Sequence, residues 1–340
     1  MNMGSTHSPN SLDLLRLLAA WLVLFSHQYA LLGLPEPSFL GLNKFGGAGV
    51  AVFFFLSGSL VWGSWRRDPH WGRYLARRAL RIFPALWVVV LLSVLVLGPV
   101  LTTLTLSDYF GAHETRQYLL NGLLQIKYNL AGIFEGNALR AVNGSLWTLP
   151  AEFLSYLLVG IWGWSKWRAW PWRVAIGVLL MVVLSTWFWF KHGVAKPELE
   201  VMALFWWGAA YGEYRWTVNQ GKRWHWSVWC VLLLALGLFA GTTDRGLERS
   251  ALMLIAGMAV HLAMLGSWGG ALLHRLGDVS YGVYIYAFPV QQTLIYLLPH
   301  EPFMVHLCLS TLITLVLAYG SWHCIEKLAL RWKPKGPVAS

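Results

Sequence analysis

The chain has 340 residues, 57% hydrophobic and only 12% charged, with 22 Trp and a formal net charge of +11. A soluble globular chain carries roughly 25% charged residues, so a pair of soluble domains is excluded, and the same composition excludes disorder. A nucleic-acid partner would need the positive charge gathered on one soluble face, and the basic residues are not distributed that way. Cys230, Cys308 and Cys324 stand singly in apolar runs. They offer neither a disulfide framework nor a CxxC metal spacing.

Spans of about 20 mostly apolar residues cross a bilayer. Taken in chain order they fall at 12–33, 46–65, 80–101, 146–164, 172–190, 200–215, 226–241, 248–266, 278–298 and 303–324. The expected fold is an all-α integral membrane protein, a bundle of about ten transmembrane helices forming a single domain over 1–340. The first span is not a cleaved signal peptide: its apolar run is too long, no A-x-A site follows, and it holds Arg16 and His27. No segment alternates over the roughly ten residues of a membrane β-strand.

Basic residues cluster in every second connection. Arg66, Arg67, Arg73, Arg77, Arg78 and Arg81 surround the second; Lys166, Arg168 and Arg173 the fourth; Arg215, Lys222 and Arg223 the sixth. Arg275 lies in the eighth, and Lys327, Arg331, Lys333 and Lys335 in the tail (325–340). The positive-inside rule then puts both termini in the cytoplasm. Trp residues near the span ends, among them Trp62, Trp65, Trp162, Trp164, Trp167 and Trp170, fit an interfacial belt. The connection at 102–145 is long and, in this topology, faces outward. Within it Tyr118 to Phe134 is apolar but broken by Asn121, Gln125, Lys127 and Asn129. It reads as an interfacial or re-entrant segment, either functional or a cover over the bundle.

Ionisable side chains at membrane depth are costly and point to function. Asp13 and Arg16 share one face of the first span, and His27 follows Arg16 by 11 residues, close to three helical turns. His27 then sits about 9 Å below the outer end of its helix. Glu152, in the oppositely directed fourth span, lies roughly 10 Å below the same surface. A histidine with a carboxylate in one dry layer suits general base catalysis, the carboxylate stabilising the imidazolium; it equally suits an interhelical hydrogen bond. Arg78 and Arg81, three apart, form a pair that can grip phosphate or simply anchor the helix at the headgroups. Gly46-Gly47-Ala48-Gly49, running on to Phe53-Phe54-Phe55-Leu56-Ser57-Gly58, suits close helix packing or a ligand against the backbone. Ser280-Tyr281-Gly282-Val283-Tyr284-Ile285-Tyr286 places hydroxyls in an apolar span that Pro289 should kink. His261 reads as a core histidine. No HExxH or H-x₃-H spacing occurs, so no metal is expected, and Walker, Rossmann and GxSxG motifs are absent.

Several motifs together resemble the bacterial acyltransferase-3 family. They are Leu12-Asp13…Arg16…His27; Gly49-Val50 with the Phe-rich run to Leu56-Ser57-Gly58; Arg77-Arg78-x-x-Arg81-Ile82-Phe83-Pro84; Asn143-Gly144-Ser145-Leu146-Trp147-Thr148-Leu149-Pro150-Ala151-Glu152; and Ser280-Tyr281 to Pro289. The match is dense over 12–155 and thin afterwards, and Ala287 stands where many members have His. The resemblance implies ten spans in a bacterial inner membrane. It implies O-acyl transfer from cytoplasmic acyl-CoA, with acetyl-CoA as the expected donor, to a hydroxyl of a cell-envelope polysaccharide, another glycan or a glycolipid. Some members acylate small secondary metabolites instead. Under it His27 becomes the general base and Glu152 its orienting partner. Arg78 and Arg81 become the coenzyme anchor, and Arg16 either a further coenzyme contact or the holder of Asp13. A sugar or lipid transporter is the rival from another class, but its usual inverted repeat is not evident. A non-catalytic membrane sensor is a second rival.

Overall fold

The computed structural model describes residues 11–164, 169–241, 246–266 and 277–334. Lys166, Trp167, Arg168, Arg275 and Lys335 lie outside them. Among the described residues the long helices are α1 Ser11–Leu31, α2 Phe45–Arg67, α3 Trp71–Leu92, α4 Thr148–Trp164, α5 Trp170–His192, α6 Pro197–Asn219, α7 Trp226–Gly241, α8 Gly246–Leu265, α9 Ser280–Leu297 and α10 Phe303–Ser321, and each overlaps one of the expected apolar segments. The strands Ser38–Phe39 and Asn43–Lys44 pair antiparallel before α2. Among the described residues, seven helical stretches are long and apolar enough to cross a membrane: α1, α2, α5, α8, Trp71–Leu101, Gly144–Trp164 and Phe303–Arg331. α7 is apolar but shorter.

Two helices extend beyond the expected edges. α3 begins at Trp71 rather than near residue 80, because the Arg-rich stretch is itself helical. Arg73 and Arg77 turn back onto Asp68 just ahead of it, at 2.9 and 2.8 Å. Hydropathy averaging cannot see a turn whose charges are neutralised locally. α6 likewise extends the expected 200–215 on both sides. Its first turn carries Glu198 and Glu200, which favour a helix N-terminus.

The chain divides into two compact units. One comprises 1–37, 84–146 and 258–328. There α1 packs on α9 and α10, and α9 on α10. α1 and α9 run parallel, since Arg16 meets Asp278 and Gln28 meets Gln291. α10 runs antiparallel to α1: Trp21 bonds Thr311, whereas Tyr29 lies against Phe303. The 102–145 connection folds as two short helices, Leu106–Gly111 and His113–Tyr118, and a 3₁₀ turn, Leu119–Leu123. It then runs without regular structure to Gly144. Asn121 is fully buried, donating to the Tyr118 and Lys127 carbonyls and accepting from the Lys127 amide, each at 2.8 Å. Gln292 of α9 donates to the Leu139 and Ala141 carbonyls at 2.6 Å.

Asn143 closes a gap that Pro289 creates. Proline has no N–H, so the carbonyl four residues earlier loses its helical partner. That carbonyl belongs to Ile285, and the Asn143 side chain donates to it at 2.8 Å.

The other unit comprises 38–83, 147–257 and 329–340. α2 and α6 form its spine, with α4 against both, α5 on α6 and α7 on α5. Small residues set the spacing. A Cβ on Gly58 would lie 1.8 Å from the Phe205 carbonyl oxygen, and one on Gly208 1.9 Å from that of Phe55. The backbones touch because glycine leaves room, the usual device where lipid gives helices no hydrophobic reason to associate. The contacts 55 to 208, 59 to 212, 62 to 213 and 66 to 216 rise together, so α2 and α6 run parallel and end on the same side.

Candidate functional site

In the second unit, Glu152 sits two turns inside the helical stretch Gly144–Trp164. Its carboxylate accepts hydrogen bonds from Ser57 of α2, at 3.2 Å, and from Tyr156 one turn along α4. The two hydroxyls are themselves 3.2 Å apart. Residues four apart share a helix face, so α4 presents carboxylate and phenol together, while α2 brings the serine at the residue before its close-packing Gly58.

Arg78 belongs to the same cluster. Its guanidinium lies 5.9 Å over the Tyr156 ring, and its Nη2 reaches Ser64 Oγ at 3.5 Å. Its Nε is buried and makes no hydrogen bond among the described residues, which leaves donor capacity for an anion. Tyr74 fixes the base of the cluster by donating to the Tyr156 carbonyl at 2.8 Å. Arg81 lies three residues beyond Arg78 on α3. Arg77 is held differently, on Asp68. The Arg73 and Arg77 guanidiniums around Asp68 hold its carboxyl well below the usual carboxylate range, the Arg73 hydrogen bond contributing most.

In the first unit, the His27 ring meets the edge of Phe288 with centroids 5.1 Å apart. Its Nδ1 is buried and makes no hydrogen bond among the described residues. Phe288 also covers Gly144, where an added Cβ would fall 2.5 Å from the ring. The 143–145 segment is pinned to α9 twice, by Asn143 on Ile285 and by Tyr284 donating to the Ser145 carbonyl at 2.9 Å. Next to His27, Gln28 accepts from Gln291 at 2.9 Å and from Ser310 at 3.3 Å, and Gln291 also donates to the Leu24 carbonyl. Arg16 lies between Asp13, at 3.1 Å, and Asp278, at 3.5 Å. Ala287 is buried with Leu24 and Leu307. An apolar contact therefore fills the position where the family pattern has a histidine.

Among the residues expected to carry function, Glu152 and Arg78 are joined through Tyr156. His27 and Arg16 lie in the first unit with partners of their own. The sequence reading passed over Tyr156, Gln28, Gln291, Asp278 and Asp68. The signal for Tyr156 was its spacing of four from Glu152, and for the two glutamines their polarity inside apolar spans. A buried cluster on the α2–α6 spine also went unnoticed. Glu213 accepts from Trp62 Nε1 and pairs with Arg66 Nε, both at 2.9 Å. Arg66 and Arg173 each lie over the Trp170 ring, at 4.4 and 4.2 Å. No group of three or more His, Cys, Asp or Glu among the described residues has the placement of a metal site.

A family profile described as an acyltransferase domain matches residues 10–323. The chain is 33% identical over 344 residues to an O-acetyl transferase of Shigella phage Sf6, covering 97% of this chain and 98% of that one. It is 29% identical over 361 residues to Nodulation protein 10 of Rhizobium leguminosarum bv. viciae, covering 97% and 95%. No solved structure matches.

Proposed function

The chain belongs to the acyltransferase-3 family of membrane O-acyltransferases, and on that footing we propose that it moves an acetyl group from cytoplasmic acetyl-CoA to a hydroxyl of a cell-envelope polysaccharide, another glycan or a glycolipid. The observation that carries the acetyl assignment is the end-to-end likeness to a protein named as an O-acetyl transferase. The whole of 1–340 acts as one domain, with ten spans, both termini in the cytoplasm, in a bacterial inner membrane. Alternating threading is supported by the helix senses within each unit: α1 is parallel to α9 and α2 to α6, whereas α1 is antiparallel to α10. Odd- and even-numbered spans would pair in that way.

In the reaction the acceptor oxygen attacks the thioester carbon, the C–S bond breaks, and the hydroxyl proton passes through His27 to the departing thiolate. Glu152 is the carboxylate that steadies the imidazolium. The support for this pairing is the matched distance of the two residues from the outer helix ends along the sequence. Ser57 and Tyr156 hold that carboxylate in one orientation. Arg78 and Arg81 anchor coenzyme phosphate, supported by the unfilled, buried Arg78 Nε. Arg16 braces the inner end of α1 through its two carboxylates.

The test is acetyl-CoA turnover by the purified full chain, with mass spectrometry of envelope glycans from deletion and His27→Ala strains. The wild type should add one acetyl mass that both strains lack, at equal His27→Ala expression. Unchanged O-acetylation in a well-expressed His27→Ala strain sinks the general-base assignment.

A further inference from the structure

At the end of the α2–α6 spine, a cavity of about 440 Å³ is lined by Tyr214, Val218, Gly221, Lys222, Arg223, Trp224 and Trp229. That size is typical of small-molecule sites. Three aromatic rings form its walls. Tyr214 and Trp224 centroids are 5.6 Å apart, Tyr214 and Trp229 5.4 Å, and Trp224 and Trp229 5.3 Å.

The cage is built rather than incidental. Trp224 is only 8% exposed, and its indole N–H is committed inward to Thr217 Oγ1 at 3.2 Å. A tryptophan of an interfacial belt instead turns that N–H toward the headgroups. Thr217 in turn donates to Glu213, so the cage wall is tied to the Arg66 pair. The turn carrying the cations is equally fixed. Gly221 takes a positive φ of 69°, its amide donates to Val218, and the Lys222 amide donates to Thr217 at 3.1 Å. Lys222 and Arg223 are exposed and make no ion pair among the described residues. Because α2 and α6 are parallel, this turn lies at the same end of the unit as Arg66 and Arg67.

Cations alone would suit any phosphate, including a lipid headgroup. Cations beside fixed aromatic faces suit a phosphate joined to a planar base, which stacks while its phosphate is neutralised. We propose that Tyr214, Trp224 and Trp229 with Lys222 and Arg223 hold the phosphorylated adenosine end of the acyl donor. Arg78 and Arg81 are left for the pyrophosphate. The proposal rests on the acyl-CoA reading above, but the site is testable apart from it.

The experiment measures binding of tritiated CoA and of adenosine 3′,5′-bisphosphate to the full chain in lipid nanodiscs, with pantetheine as the competitor that lacks the nucleotide. The Lys222→Gln/Arg223→Gln double variant and Trp229→Leu change exposed positions, and size-exclusion profiles check that they fold. Both should weaken CoA and adenosine 3′,5′-bisphosphate about tenfold and leave competition by pantetheine unchanged. Equal affinities for both ligands in wild type and variants overturn the site and leave the acyltransferase reading standing. Adenosine 3′,5′-bisphosphate binding that the variants lose, with no CoA binding by the wild type, keeps the site and overturns the donor. Sensitivity of the variants only to the phosphatidylglycerol content of the disc assigns the cations to lipid and overturns the proposal.

Discussion

Phe288 stands edge-on to His27 at 5.1 Å and at the same time covers Gly144, whose missing Cβ leaves it room. The packing of the imidazole is therefore coupled through Phe288 to Gly144. Gly144→Ala should push Phe288 toward His27 and lower kcat at unchanged expression. A displacement approaching 1 Å can cost about 10²-fold, so a loss of ten- to a hundredfold is expected in acetyl-CoA turnover. Wild-type kcat in a folded Gly144→Ala enzyme would show that Phe288 places no constraint on His27.

The α2–α6 spine is set by backbone contact, so Gly208→Ala should hurt stability more than a core methyl usually does. Its Cβ would fall on the Phe55 carbonyl oxygen, which cannot rotate away. Overpacking costs about 1–3 kcal/mol, and the upper end is expected here. Gly237→Ala, with open space around it, is the control. Thermal unfolding in detergent should separate the two by several degrees.

Glu213 is 1% exposed and serves Arg66, Trp62 and Thr217. Removing one partner of a buried pair costs about 3–5 kcal/mol, because the other charge is left stranded. Glu213→Leu should fall in that range. Glu213→Leu/Arg66→Met should recover much of the loss, since no charge is stranded. A double variant as unstable as the single one would show that the pair is worth no more than its packing.

Asp68 lies in the short connection before α3, with its carboxyl held below the ordinary range by Arg73 and then Arg77. A group whose folded pKa is lowered adds stability in full above its unfolded pKa, about 4. The contribution drains away as pH falls through the lowered value. Wild-type melting temperature should therefore drop more steeply below pH 4 than that of Asp68→Asn, which lacks the contribution at every pH. Parallel curves for the two proteins would remove Asp68 from the acid response.

That the chain is built of long apolar helices was legible, because a run of apolar residues is a local property, but seven of the expected spans, not ten, are long and apolar enough to cross a bilayer among the described residues. Edges were less so. The start of α3 was missed by nine residues, since Arg73 and Arg77 look like a solvated loop until Asp68 is seen to neutralise them. The same limit applied to the candidate site. Glu152 stood out as a carboxylate in an apolar span. Its partner Ser57 lies 95 residues away, and no spacing within one helix announces a neighbour on another.

The sequence by itself determined that this is a multi-helix membrane protein and, through a handful of motifs, its family. These follow from composition, period and pattern along the chain. Only the tertiary structure decided that Tyr156 links Arg78 to Glu152, that Asn143 fills the carbonyl freed by Pro289, and that Trp224 turns inward to wall a cationic cage. The reason is physical. Hydropathy tells a helix that it must be buried in something, but contact between faces depends on which glycines let two backbones meet, and that is settled only when the helices pack.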